Sequence, residues 1–129
     1  MRLAVPASAY LFSVDLEDVR SMIPDGARYA PRVAANVARY LDVLDRHGAR
    51  CTFFTVGDVA TRMPELVRDL AQAGHEIACH GADHMPLERL GRDGFRDDTV
   101  RALDALDRAG AGRARGFRAP VMSLTPRTP

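Results

Sequence analysis

Short β-forming runs alternate with helical stripes along this chain, and that alternation leaves few folds open to it. Tyr10-Leu11-Phe12-Ser13-Val14, Cys51-Thr52-Phe53-Phe54-Thr55-Val56 and His75-Glu76-Ile77-Ala78-Cys79 are compact and rich in apolar, aromatic or β-branched side chains. A fourth run, residues 114–118, lies between the Gly110-Ala111-Gly112 breaker and Pro120. Between the first two, residues 31–47 repeat apolar side chains at Val33, Val37, Tyr40, Leu41 and Leu44. Pro31 suits the first turn there, and Gly48 the stop. Val59, Met63, Leu66, Val67 and Leu70 make a second stripe, which Pro64 splits in two. After a helical turn ending near Leu90, Phe95, Val100, Leu103 and Leu106 mark a helix over 93–109. The order β-α-β-α-β-α-β with short connections predicts an α/β fold of parallel strands joined by helical crossovers.

Polar residues gather where such a fold builds sites, at the C-terminal ends of the strands. Asp15, Glu17 and Asp18 follow the first run, His80 and His84 follow the third, and Arg118 closes the fourth. The two histidines are four positions apart, and on one turn of helix that spacing turns both rings to one face, where they can share an ion. Two neutral imidazoles and one carboxylate bind a divalent ion and leave positions open for water and substrate. The acidic cluster can supply both that carboxylate and a second one acting as base. Arg118 can hold a carboxylate in orientation by paired hydrogen bonds. The other polar residues have plainer readings. His47 suits a helix C-terminus, His75 opens a strand and packs there, and Asp83 is a solvent-side or outer group.

Composition removes several classes of function. With 129 residues the chain forms at most one domain, 47% apolar and 27% charged, which is ordinary for a globular protein. A net charge of +1 gives no electrostatic footprint for nucleic acid or an anionic membrane. No segment has the length of a transmembrane helix. The run Met1-Arg2-Leu3-Ala4-Val5-Pro6 is broken by Pro6 and Ser8, too early for a signal-peptide core, so a cytoplasmic product is expected. Cys51 and Cys79 both fall in strand runs and read as buried free thiols rather than a disulfide.

These residues resemble the polysaccharide deacetylase family, carbohydrate esterase family 4, also called the NodB homology domain. Ser13-Val14-Asp15-Leu16-Glu17-Asp18 is similar to its first motif, with the two key acids not adjacent. Residues 51–57 resemble its second strand, and Pro64-Glu65-Leu66-Val67 through Gly74-His75-Glu76-Ile77 the run into the second motif. His80-Gly81-Ala82-Asp83-His84 resembles that motif, and Gly116-Phe117-Arg118-Ala119-Pro120 the third. Residues 117–120 and 15–18 look closest to deacetylases of bacterial exopolysaccharide synthesis.

The resemblance implies a hydrolase that removes N-acetyl groups from the amino sugars of a polysaccharide or oligosaccharide. It makes His80, His84 and Glu17 the metal ligands, with Asp18 the alternative to Glu17. Asp15 becomes the general base, Arg118 its orienting partner, and the N–H near Val121 an oxyanion donor. The ion implied is divalent, zinc first and cobalt next. The fold implied is a distorted (β/α)7-type barrel, which needs roughly 200–250 residues. Residues 1–129 are then expected to be a partial, truncated NodB homology domain, or to have a separate chain supplying the other half. The family's later leucine-x-histidine motif, whose histidine is the general acid, matches none of the four histidines here. Activity from these residues alone is therefore expected to be impaired. A non-catalytic metal- or glycan-binding remnant and a related amide or imide hydrolase are the alternatives.

Overall fold

The computed structural model describes residues 10–126 and Thr128; the N-terminal run Met1 to Pro6 lies outside the described residues. Three parallel strands, β1 (Ser13–Leu16), β2 (Thr52–Thr55) and β3 (Glu76–Cys79), form a sheet in the order β1-β2-β3. Helix α1 (Val33–Arg46) connects the first pair. Helices α2 (Gly57–Arg62) and α3 (Pro64–Gln72) connect the second, with Pro64 beginning α3 as the sequence predicts. Helix α4 (Leu87–Arg108) follows β3 and kinks at Gly91, whose φ is 63°. The turn expected up to Leu90 and the helix expected from Asp93 are the two pieces on either side of that break.

The register separates the two sheet faces. Val14 pairs with Phe53 and Phe53 with Ile77; Leu16 pairs with Thr55 and Thr55 with Cys79. Leu16, Phe53, Ile77 and Cys79 belong to one buried cluster with Val37, Leu44, Val59, Val67, Leu70, Ala102 and Leu106 from the helices. On the opposite face stand Ser13, Asp15, Thr52, Phe54, Glu76 and Ala78, where polar chemistry can collect. Among the described residues no helix is long and apolar enough to cross a membrane.

Several elements differ from expectation for identifiable reasons. The first strand begins at Ser13, leaving Tyr10 and Leu11 87% and 88% exposed. Among the described residues its only neighbour in the sheet is β2, and that ladder starts at Thr52, so Tyr10 and Leu11 have no strand beside them. Asp15 consequently lies inside β1 rather than beyond it. The expected fourth strand is a single parallel bridge, Cys79 with Phe117. Cys79 N–H donates to the Gly116 carbonyl and Arg118 N–H to the Cys79 carbonyl. On the 116–118 side the next donor would be Pro120, which has no N–H, and the Arg118 carbonyl faces His80 Nδ1 instead of a strand partner. On α4 the buried stripe is Asp98, Ala102 and Leu106, while Val100 and Leu103 are exposed.

Both cysteines are free and buried, and burial pushes both thiols above their ordinary pKa. His75 is 5% exposed; its Nδ1 accepts the Cys51 N–H at 3.3 Å and its ring meets Phe53 edge-on. Burial lowers its pKa, so the folded chain holds it neutral. The unfolded chain takes up a proton near pH ~6.5, before the folded one does. Stability from this group is therefore full above that pH, falls as pH drops through it, and levels off below the lowered folded value. In thermal melts from pH 7.5 to 5, His75→Gln should lose less midpoint than wild type. Parallel curves would remove His75 from the acid sensitivity.

Candidate metal and catalytic site

Three segments deliver side chains to the C-terminal edge of the sheet. β1 carries Asp15 and runs directly into Glu17. The loop after β3 carries His80 and His84, and the bridge segment carries Arg118. The histidines meet by a different route from the helical turn expected, because residues 80–86 form a loop. Gly81 takes φ 76° and His84 φ 57°, so two left-handed residues fold the loop back and bring the rings to a 5.0 Å centroid distance. The N-terminal end of α2 fastens this loop: Gly57 N–H donates to the Gly81 carbonyl and Asp58 N–H to the Ala82 carbonyl.

Glu17, His80 and His84 offer ligand atoms that all lie within 4.8 Å of one another. His84 Nε2 stands 2.7 Å and His80 Nε2 3.6 Å from Glu17 Oε2. The oxygen is nevertheless buried without a hydrogen bond. Such an orphaned carboxylate oxygen between two imidazoles suits a shared cation better than a pair of hydrogen bonds. The His80 tautomer agrees. Its Nδ1 lies 2.8 Å from the Arg118 carbonyl, which can only accept, so Nδ1 carries the hydrogen and Nε2 offers its lone pair inward. The residues present fit a divalent ion.

Asp18 is placed elsewhere. It is buried, caps the turn at Val19–Ser21 by accepting the Arg20 N–H, and pairs with Arg62 at 3.2 Å. That structural work leaves Glu17 as the carboxylate beside the histidines. Arg62 is itself bonded to Asp58, whose pKa the guanidinium lowers.

Asp15 adjoins the cluster without joining it. Its Oδ1 accepts from Arg118 Nη1 at 2.5 Å, and its Oδ2 lies 3.8 Å from His80 Nε2. Arg118 also donates to Ser13 Oγ at 2.9 Å and stacks over the Phe54 ring, its guanidinium carbon 3.9 Å from the centroid. Ser13 and Phe54 were not legible as site residues. The available signal was period-2 alternation, which puts both on the sheet face of Asp15. Val121 begins the segment beyond Pro120 with φ 49°, a strained value for a β-branched residue. Asp83 pairs with Arg101 on the solvent side, His47 ends α1, and His75 opens the opposite end of β3. A groove of about 610 Å³ runs from Asp15 and Glu17 past Arg20 and Tyr29 to Tyr40 on α1.

The polysaccharide deacetylase family model matches residues 22–128. The chain belongs to that family. It is 33% identical over 82 residues to a peptidoglycan-N-acetylglucosamine deacetylase of Bacillus cereus, a match covering 64% of this chain and 30% of that protein. It is 40% identical over 65 residues to a chitooligosaccharide deacetylase of Sinorhizobium fredii, covering 50% and 29%. A solved structure from Mycobacterium smegmatis superposes with a TM-score of 0.80 at 30% identity, over 92% of this chain and 45% of that one. The parallel β/α arrangement described above is therefore part of the family's barrel, and the chain spans about a third of the curated relatives it matches.

Proposed function

We propose that this deacetylase-family chain is a metal-dependent hydrolase that removes acetyl groups from N-acetylglucosamine units of a glycan. The observation that carries the reading is the convergence of Glu17, His80 and His84 beside an Asp15 held by Arg118. The two relatives named for peptidoglycan N-acetylglucosamine and for chitooligosaccharide support the substrate class. Glu17, His80 and His84 would hold the ion, and their nitrogen and oxygen donors favour zinc. Zinc in such a set supplies Lewis-acid chemistry, lowering a water's pKa towards ~7 and polarising an acetyl carbonyl.

The chain's own groups divide the remaining work. Asp15 accepts at Oδ2 the proton a water loses as it attacks the acetyl carbon, its Oδ1 being engaged by Arg118. The Val121 N–H is the donor for the oxyanion. When the C–N bond breaks, the leaving amine must gain a proton, and neither His47 nor His75 lies at this edge to give it. A general acid for that step is typically worth on the order of 10²–10⁴ in rate. Among the described residues no histidine besides His80 and His84 stands at this edge, which favours as a second reading a metal- or glycan-binding form without turnover. β1 has no partner on its outer edge among the described residues, and a further barrel segment, on the same or a separate chain, would pair there.

Zinc titration and acetate release from acetylated chito-oligosaccharide test the proposal together. Binding lost by at least ~10–100-fold in Glu17→Gln, with slow zinc-dependent release by wild type, supports it. Binding without release favours the second reading; a wild-type chain that takes up no zinc removes the hydrolase reading and the metal-binding form of the second.

A further inference from the structure

The loop between the two histidines is fastened from a side the reaction does not need. Asp98, on α4, is a carboxylate only 4% exposed in the middle of that helix's buried stripe, next to Ala102 and Leu106. Its Oδ2 accepts the Ala82 N–H at 2.9 Å, and its Oδ1 lies 3.2 Å from Arg101 Nη2. The same Arg101 nitrogen bonds Asp83 at 2.8 Å. Both residues next to the loop's centre, Ala82 through its backbone and Asp83 through its carboxylate, are thus tied to α4. Gly81 is fitted to this arrangement as well. A Cβ there would lie 3.1 Å from Asp98 Oδ2 and 3.3 Å from Pro120 Cγ, at a φ of 76°.

We propose that Asp98, with Arg101, is a positioning residue that sets the His80–His84 geometry for the ion. This rests on the metal reading above. The physical case is the contrast between strain and support. His84 is held left-handed, a conformation that persists only where surroundings over-determine it. The α2 N-terminus bonds the Gly81 and Ala82 carbonyls, and Asp98 bonds the Ala82 N–H. A buried carboxylate on an apolar stripe is costly to keep unless its bonds matter, and these go to the ligand loop.

Cobalt alone is the probe, titrated into the full chain and followed by its visible absorption. Asp98→Ala should weaken cobalt binding about 10–100-fold, as loss of a group supporting metal ligands does, and should alter the ligand-field bands. Asp98→Asn keeps an oxygen acceptor for Ala82 N–H and should recover most of the affinity and the wild-type spectrum. Wild-type affinity and bands in Asp98→Ala would overturn the proposal, as would equal damage in the Ala and Asn variants. Should Asp98→Ala fail to fold, Arg101→Ala decides. Arg101 has a 59% exposed side chain, so its removal should leave the fold intact and weaken cobalt several-fold. Unchanged binding and bands there would equally overturn the assignment. Wild type taking up no cobalt sinks the metal reading, and this proposal with it; wild type binding while the variants match it sinks this proposal alone.

Discussion

Replacing Asp15 by Asn should lower zinc-dependent acetate release by on the order of 10²–10⁴ while leaving metal affinity within a few-fold of wild type. The split follows from where its two oxygens lie. Oδ1 is bonded to Arg118, and Oδ2 lies 3.8 Å from His80 Nε2, outside the group formed by Glu17, His80 and His84. Asparagine keeps an oxygen for Arg118 and matches the shape, so the variant removes proton-accepting power and little else. Arg118 should stay stacked on Phe54 and bonded to Ser13. Cobalt titration beside the acetate assay checks both halves. Release unchanged by the substitution would place the base elsewhere. A large loss of affinity would make Asp15 a ligand alongside Glu17, which its nearness to His80 Nε2 makes a real alternative to exclude.

How much of this was legible in the sequence depends on the kind of information each feature carries. Strand–helix alternation and Pro64 gave the topology, because periodicity and breakers act locally. Glu17, His80, His84, Asp15 and Arg118 were legible as candidates because strand ends converge in parallel sheets. How the histidines converge was not, since the spacing fits a helical turn equally well. The Ala82 N–H bond to Asp98, far along the chain, holds the loop form. Asp18 could not be told from Glu17 until Arg62, 44 positions on, was seen to claim it. The α4 stripe departs from its apolar pattern for the same reason. Apolar Val100 and Leu103 looked like core, yet the buried face runs through an aspartate, which hydrophobic patterning cannot see. Such an acid on the register of Ala102 and Leu106 was the one local hint of a tertiary role.

Phe53→Ala should cost about 3–5 kcal/mol, the usual range for deleting a buried aromatic. Phe53 is fully buried in the central strand, pairs with Val14 on one side and Ile77 on the other, and touches His75 edge-on. No neighbour can close over the cavity without moving a strand. Domains are stable by only about 5–15 kcal/mol, and a sheet that among the described residues has three strands and an unpaired outer edge belongs at the low end. The metal-free variant should therefore keep only about 0–2 kcal/mol, with up to about half of the chain unfolded at 25 °C by circular dichroism. The site lies at the ends of the same strands, so the metal links the two. An ion that binds only the folded chain adds about 2.7 kcal/mol at 100 times its Kd. Zinc should then restore much of the helical signal in Phe53→Ala, and fail to do so once His80→Ala removes a ligand. Refolding by zinc in the double variant would mean that the ion acts somewhere other than the Glu17, His80 and His84 cluster. A Phe53→Ala chain as stable as wild type would mean that the central strand is not what holds that cluster in place.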